Sequence, residues 1–399
     1  MGVGADALGV FAATVMAPWA WKWAFGPVLD NLHLPRFGRR TQWVLGMQLG
    51  MILTLFAALA LFPTGNGVGL GTFTTLLLVH NLFAAGQDVA IDALAVSALP
   101  EAERGRANGF MFGAAQLGMA IGGSGVIAAK GLFGFSFASL LVPCALALLM
   151  ALTVGWVREG LTPRGDGGLR QVGADILDYL KTVLRVFFTT RSGFYGMVLA
   201  LLPSGALALS LTLSNVITPT LGMTDDEIAS LGAVSSVIFA ITCATGGALS
   251  DRLGRRLTLG LFAGATALPT LWMAWRFHQA GWEMAPAALA DGTWPRAESL
   301  IRDWWIAGLV YGGLVGMMYG VRTALYMDIV DPRIAATQFT ASMALLNVVT
   351  IYSYWWEGRA MTPAAEGGWG LTVPQTLAAD AALGLVFLAV LPLLQPRKA

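Results

Sequence analysis

The sequence predicts an all-α integral membrane protein built as two helical bundles related by an internal repeat. Three observations carry this. First, 56% of the 399 residues are hydrophobic and only 12% are charged, against about 25% charged in soluble domains; mean hydropathy is +0.67. Second, long runs with few charges recur at the length needed for a helix to cross the roughly 30 Å hydrocarbon layer, about 20 residues. Third, the segments between those runs alternate between rich and poor in Lys and Arg.

The candidate spans are, in order, 5–29, 42–62, 72–99, 107–129, 134–157, 194–219, 227–249, 257–278, 303–329, 335–357 and 375–395, eleven in all. Segments 31–41, 100–106, 158–193, 250–256, 331–334 and the tail carry most of the 24 Lys and Arg, whereas the alternate segments carry Lys130, Arg296, Arg302 and Arg359. The positive-inside rule sets the basic segments in the cytoplasm. The amino terminus is then outside and the carboxyl terminus inside. Trp282, Trp294, Trp304, Trp305, Trp355, Trp356 and Trp369 cluster towards the outer side, as interfacial aromatics do. Ala5 to Leu29 does not read as a cleavable leader, because it is long, contains Lys22 and runs into a basic loop.

The net charge of +1 gives no reason to expect nucleic acid as a partner. Cys144 and Cys243 stand alone in apolar runs without metal or redox spacing, and read as packing residues. No metal and no organic cofactor is expected.

The stretch Arg-Glu-Gly-Leu-Thr-Pro-Arg-Gly-Asp-Gly-Gly from position 158 is turn-rich and divides the chain. The expected domains are an amino-terminal bundle at 1–157, a cytoplasmic linker at 158–193 and a carboxyl-terminal bundle at 194–399. In the linker Ile176, Leu180, Val183, Leu184 and Phe187 recur at helical spacing, with Asp175, Asp178, Lys181 and Arg185 on other faces. This is the pattern of an amphipathic interfacial helix.

The halves repeat. GPVLDNLHLPRFGRR at 26–40 aligns with GALSDRLGRR at 247–256 when Asp30 is set on Asp251, and RGRANGF at 104–110 aligns with RIAATQF at 333–339. Gly26, Asp30, Arg39 and Arg40 are the first copy of the loop motif; Gly247, Asp251, Arg252, Gly254, Arg255 and Arg256 are the second. Gly247 is expected to let helices approach closely, and Asp251 to meet a basic residue or a helix N-terminus. The alignment sets the span at 5–29 beside the one at 227–249. The full span at 194–219 that precedes the latter has no counterpart in the first half, so the first helix of a twelve-helix plan is expected to be missing here.

The GALSDRLGRR loop resembles the signature between the second and third helices of major facilitator superfamily transporters. Within that superfamily the chain resembles the peptide, acetyl-coenzyme A and drug transporter group, which includes AmpG-type muropeptide permeases and siderophore permeases. WKWAFGPVLDN at 21–31, GQDVAIDALAVSALPEAERGRANG at 86–109 and ATQF at 336–339 carry the likeness. It implies two bundles, alternating access, an inner-membrane location and, for many members, proton-coupled uptake of a small solute. Asn31 stands where the family loop usually has a basic residue, and 93–99 lacks the charges that muropeptide permeases carry there. A siderophore-like or other amphipathic solute therefore stays open beside a muropeptide.

Ionisable groups at membrane depth cost at least about 2.5–3.5 kcal/mol each by insertion scales, and so are kept where they are paired or wet. Asp88 and Asp92 lie four apart on one helical face, with Gln87 adjacent and His80 and Asn81 two turns earlier. Two close carboxylates in an apolar layer disfavour simultaneous ionisation, as a proton-coupling site requires. Lys22 is the most economical counter-ion, in either a coupling or a purely structural pair. In the second half Arg322 suits an anionic group of the solute, or pairs with Asp328. Gly312, Gly316 and Gly320 form one close-packing stripe. Asn215, Gln116, Asn347, Gln338 and Tyr352 read as helix-to-helix hydrogen bonds.

No HExxH, GxSxG or phosphate loop is present, which argues against an enzyme. The Gly65 to Gly71 run lacks dinucleotide spacing and reads as a turn. A transporter acting as a single chain is the leading expectation, and a receptor or assembly factor on a degenerate transporter fold is the alternative.

Overall fold

The structure is a computed structural model that describes residues 4–32, 38, 40–62, 69–98, 114–159, 168–284, 286, 289, 290, 292–329 and 335–394. All regular structure among them is helical. It divides into two compact units, one of residues 14–185 and one of residues 1–13 with 186–399.

The first unit begins within α1 (Ala5–Ala20), continues through a 3₁₀ turn at Lys22–Ala24 and α2 (Phe25–Asn31), and adds α3 (Thr41–Leu61) and α4 (Leu70–Ala98). A helical stretch over 114–133, α5, contains a π turn at Ala120–Gly125. It ends where Gly134 takes φ +82°, a conformation glycine adopts freely. The remaining helices are α6 (Phe135–Trp156) and α7 (Gly168–Thr189). α7 covers the segment expected to form the linker's amphipathic helix. Its Tyr179 stacks on Trp23, with ring centroids 5.2 Å apart and planes 3° from parallel. Leu177, Leu180, Leu184 and Phe188 are exposed, and Phe187 is buried.

The second unit holds α8 (Arg191–Ala200), α9 (Thr212–Thr220), α10 (Asp225–Leu253), α11 (Arg255–Ala265), α12 (Ala267–Gln279), α13 (Glu298–Ile329), α14 (Ala335–Met361) and α15 (Val373–Val390). Thr224 and Glu227 cap α10 reciprocally, as Thr372 and Gln375 cap α15. α10 and α13 cross closely along the glycine stripe: a Cβ on Gly316 would lie 2.7 Å from Phe239 O, and one on Gly246 would lie 2.6 Å from Met317 Cα. The amino-terminal turns of α1 cross α14 in the same way, because a Cβ on Gly358 would lie 2.6 Å from Ala5 O.

Among the described residues, six helical stretches are long and apolar enough to cross a membrane: Thr41–Leu61, Phe135–Trp156, Asp225–Ser250, Arg255–Gln279, Glu298–Tyr326 and Val373–Leu393. Two spans expected as single helices are interrupted over several residues, and a third, at 257–278, is split at Thr266 between α11 and α12. The one at 5–29 stops at Ala20 and restarts at Phe25, and the one at 194–219 unwinds over 201–211. Pro203, Ser204 and Gly205 interrupt that second run, and a leucine-rich hydropathy average hides them.

The tryptophans also divide. Trp304 and Trp356 are buried core residues, 2% and 7% exposed, rather than interfacial ones. Cys144 is exposed, whereas Cys243 packs against Gly320. Basic residues assigned to outer segments form ion pairs. Arg296 lies 2.6 Å from both Glu227 and Glu298, Arg359 lies 3.2 Å from Asp6, and Arg302 lies 3.8 Å from Asp303. Hydrogen bonds that Arg296 donates to Glu227 and then to Glu298 hold its exposed guanidinium above its ordinary range.

Candidate functional site

α4 is unbroken through Gln87, Asp88 and Asp92, so its two carboxylates stand one turn apart. The break after Ala20 places Lys22 in a 3₁₀ turn beside them, with Nζ 3.0 Å from Asp88 Oδ2. The two side chains are 17% and 38% exposed, so this pair is neither sealed from solvent nor fully wet. Asp92 is exposed and Gln87 half-buried. Two turns earlier Trp19 Nε1 donates to Asn81 Oδ1 at 2.9 Å, joining α1 and α4 at a second level of the same face. His80 departs from the expected arrangement. Its Nδ1 meets Thr54 Oγ1 of α3 at 2.9 Å, because a residue eight positions before Asp88 is about 80° round the helix.

In the first loop copy Arg39 lies outside the described residues, as do the side chains of Asp30 and Asn31 and the 104–110 stretch. What the structure shows there is a clamp from Glu159. The Glu159 carboxylate accepts from Arg40 N at 2.8 Å, Thr41 N at 2.8 Å and Thr41 Oγ1 at 2.9 Å. A carboxylate satisfies the unpaired N–H groups and the partial positive charge at the start of α3. Gly38 packs on the same carboxylate so closely that a Cβ would enter it. Replacing Glu159 by Ala is expected to cost about 1–2 kcal/mol, read as a lower thermal midpoint of the purified protein, with Glu159→Gln between the two.

In the second copy Gly254 takes φ +87° and turns α10 into α11. Arg255 Nη1 donates to Ala324 O at 2.9 Å and to Asp328 Oδ1 at 2.6 Å, and Arg256 Nη1 donates to Leu394 O. Arg255 thus sits near the C-terminal end of α13, and Arg256 on the carbonyl that ends the segment after α15. Arg252 is exposed, and the Asp251 side chain lies outside the described residues. Two expectations are corrected. Asp328 pairs with the motif residue Arg255, not with Arg322, because Arg322 lies nearly two turns earlier on α13. A Cβ added to Gly247 would meet nothing within 4 Å, as would one on its counterpart Gly26, and the close approach belongs to Gly246.

Arg322 lies with its guanidinium carbon 4.9 Å from the Tyr319 ring centroid, and its buried Nε has no hydrogen-bond partner among the described residues. A donor so placed suits an incoming acceptor. Asn215 lines a small pocket with Leu8, Phe11 and Ala12, and Tyr352 Oη donates to Leu201 O at 2.8 Å.

Sequence reasoning missed the polar cluster around the unwound 201–211 stretch. Within hydrocarbon each unpaired backbone group costs several kcal/mol, so a broken helix survives only if side chains replace the lost bonds. Here they do. Thr266 Oγ1 accepts from Ala206 N at 2.8 Å, Tyr311 Oη donates to Ala206 O at 2.8 Å, and Asp380 Oδ2 accepts from Leu207 N at 2.8 Å and Ala208 N at 2.9 Å. Buried Glu357 accepts from Leu213 N at the start of α9, at 3.2 Å. Gly205 is required at φ +86°, and a Cβ there would lie 2.7 Å from Ala263 O. An aspartate inside the apolar AADAALGLVF run was the available signal.

The family model of the Major Facilitator Superfamily matches residues 10–353. The anhydromuropeptide permease of Escherichia coli strain K12 is 31% identical over 147 residues, 35% of this chain and 29% of the permease. An uncharacterised protein of Haemophilus influenzae is 31% identical over 94 residues, 24% of this chain and 21% of that protein. The alignments thus span less than a third of these relatives. Among solved structures, a D-xylose–proton symporter superposes with TM-score 0.68 at 14% identity, covering 97% of this chain and 87% of that one. The nucleoside transporter NupG superposes with TM-score 0.62 at 12% identity, covering 99% and 92%. At such identities the likeness is one of fold.

Proposed function

The chain belongs to the major facilitator superfamily, a family of membrane transporters rather than enzymes, and from that premise we propose that it is a secondary transporter coupling proton movement to uptake of a small amphipathic solute by alternating access. The observation that carries the coupling is the Lys22–Asp88 pair with Asp92 one turn away. A proton arriving at either carboxylate changes the charge that Lys22 must balance, and that change can bias one conformation over another. The solute class rests on the similarity to the anhydromuropeptide permease, with siderophore-like compounds as the alternative chemistry. An inner-membrane location, a cytoplasmic carboxyl terminus and action as a monomer complete the reading.

Reconstituted vesicles with an imposed pH gradient test it. Wild-type protein is expected to accumulate a labelled anhydromuropeptide or a siderophore only when the gradient is present. Asp88→Asn and Asp92→Asn are expected to reduce gradient-driven accumulation about 100-fold, a typical size for loss of a proton-transfer group, while leaving counterflow exchange measurable. Full coupling in both variants would remove these carboxylates from the mechanism.

A further inference from the structure

The unwound stretch in the second unit is held by a group that the proposed coupling site does not use. Asp380 on α15 is 1% exposed, and among the described residues no Lys, Arg or His forms an ion pair with it. Its Oδ2 instead takes two consecutive backbone N–H groups, those of Leu207 and Ala208. Consecutive N–H groups pointing at one oxygen make a small anion-binding concavity. One turn further along α15, Gly384 lies directly against the backbone of Gly205 and Ala206, so α15 and the segment meet with the carboxylate as their polar link.

Among the described residues, the surroundings supply no competing cation. The 201–211 segment has no ionisable side chain. From α13 comes Tyr311, within electrostatic reach of both Asp380 and Glu357. From α14 comes Glu357, bonded to Leu213 N. Between α11 and α12 stands Thr266, and the α12 cation Arg276 is engaged by Asp303 at 2.6 Å. The local charges are therefore acidic, and a proton is the simplest cation that can neutralise one of them.

We propose that Asp380 is a proton-binding site of the second unit whose ionised form holds the unwound 201–211 segment and whose protonated form releases it. The step is a proton taken from water onto the carboxylate and later returned to water, with no other bond made or broken. Ionised, the oxygen accepts two charge-assisted bonds; protonated, it offers a neutral acceptor of about half the strength. An unwound span joining two half-helices is a natural hinge, so the same event would alter how α8 and α9 move relative to each other.

Hydrogen–deuterium exchange of the full-length protein in lipid nanodiscs, corrected for the intrinsic pH dependence of exchange, tests this without any solute or transport assay. It can therefore fail independently of the proposed function. In wild-type protein the Leu207 and Ala208 amides are expected to lose about tenfold in protection between about pH 8 and about pH 5. Asp380→Asn keeps an acceptor oxygen without the charge, and is expected to show the low-pH protection at every pH. Wild-type protection that is constant across the range would overturn the proposal, as would an Asp380→Asn protein that keeps the wild-type pH profile. Either result would leave Asp380 as a static brace.

Discussion

Gly246→Ala is expected to destabilise the protein by about 3 kcal/mol, whereas Gly247→Ala, one residue along, is expected to be neutral or mildly stabilising. Both glycines lie in α10, and in an ordinary helix alanine is favoured over glycine by about 1 kcal/mol. At position 247 nothing opposes that gain, since the added methyl meets open space. At 246 it would lie 2.6 Å from Met317 Cα and against the Met317 carbonyl, so a main chain and not a flexible side chain would have to move. Overpacking of this kind costs about 1–3 kcal/mol even where side chains can adjust. α13 cannot retreat easily, because Gly320 seats against Cys243 O and Gly316 against Phe239 O on the same crossing. Thermal unfolding of the two variants in one detergent gives the comparison. Equal midpoints would show that the α10–α13 crossing is looser than this packing requires.

Lys22→Gln is expected to cost about 2–3 kcal/mol, and the double change Lys22→Gln with Asp88→Asn to recover most of it. Removing the ammonium leaves Asp88 charged without its 3.0 Å partner, and an uncompensated charge at membrane depth costs roughly that much. The partial exposure of both side chains keeps the figure below that of a sealed pair. Neutralising both leaves two amides that can bond each other. Stability should thus return in the double variant while gradient-driven uptake does not, which separates a structural pair from a coupling one. Recovery of uptake along with stability would assign the pair a structural role only.

Several of these features are readable from residue order alone. Asp88, Asp92 and Lys22 announce themselves because charges are scarce and expensive in apolar runs. The helical repeat puts Asp88 and Asp92 on one face without further information. The glycine stripe at 312, 316 and 320 and the amphipathic α7 follow from period alone. His80 escaped, because spacing fixes an angle on a helix but not which neighbour stands at that angle. Asp328 and Arg322 were offered to each other for being close in sequence, while Arg255, distant in sequence, held the better geometry.

The sequence by itself determined that this chain lives in a membrane as helices, that its halves repeat and that a few acidic residues must be sheltered. Hydropathy, periodicity and charge cost act locally, residue by residue along the chain. Only the tertiary structure decided where the helices break and what satisfies the breaks. The bonds that hold the 201–211 stretch come from Thr266, Tyr311, Glu357 and Asp380 on separate helices. Whether an unwound backbone is tolerable depends on those distant partners, and no local pattern encodes them.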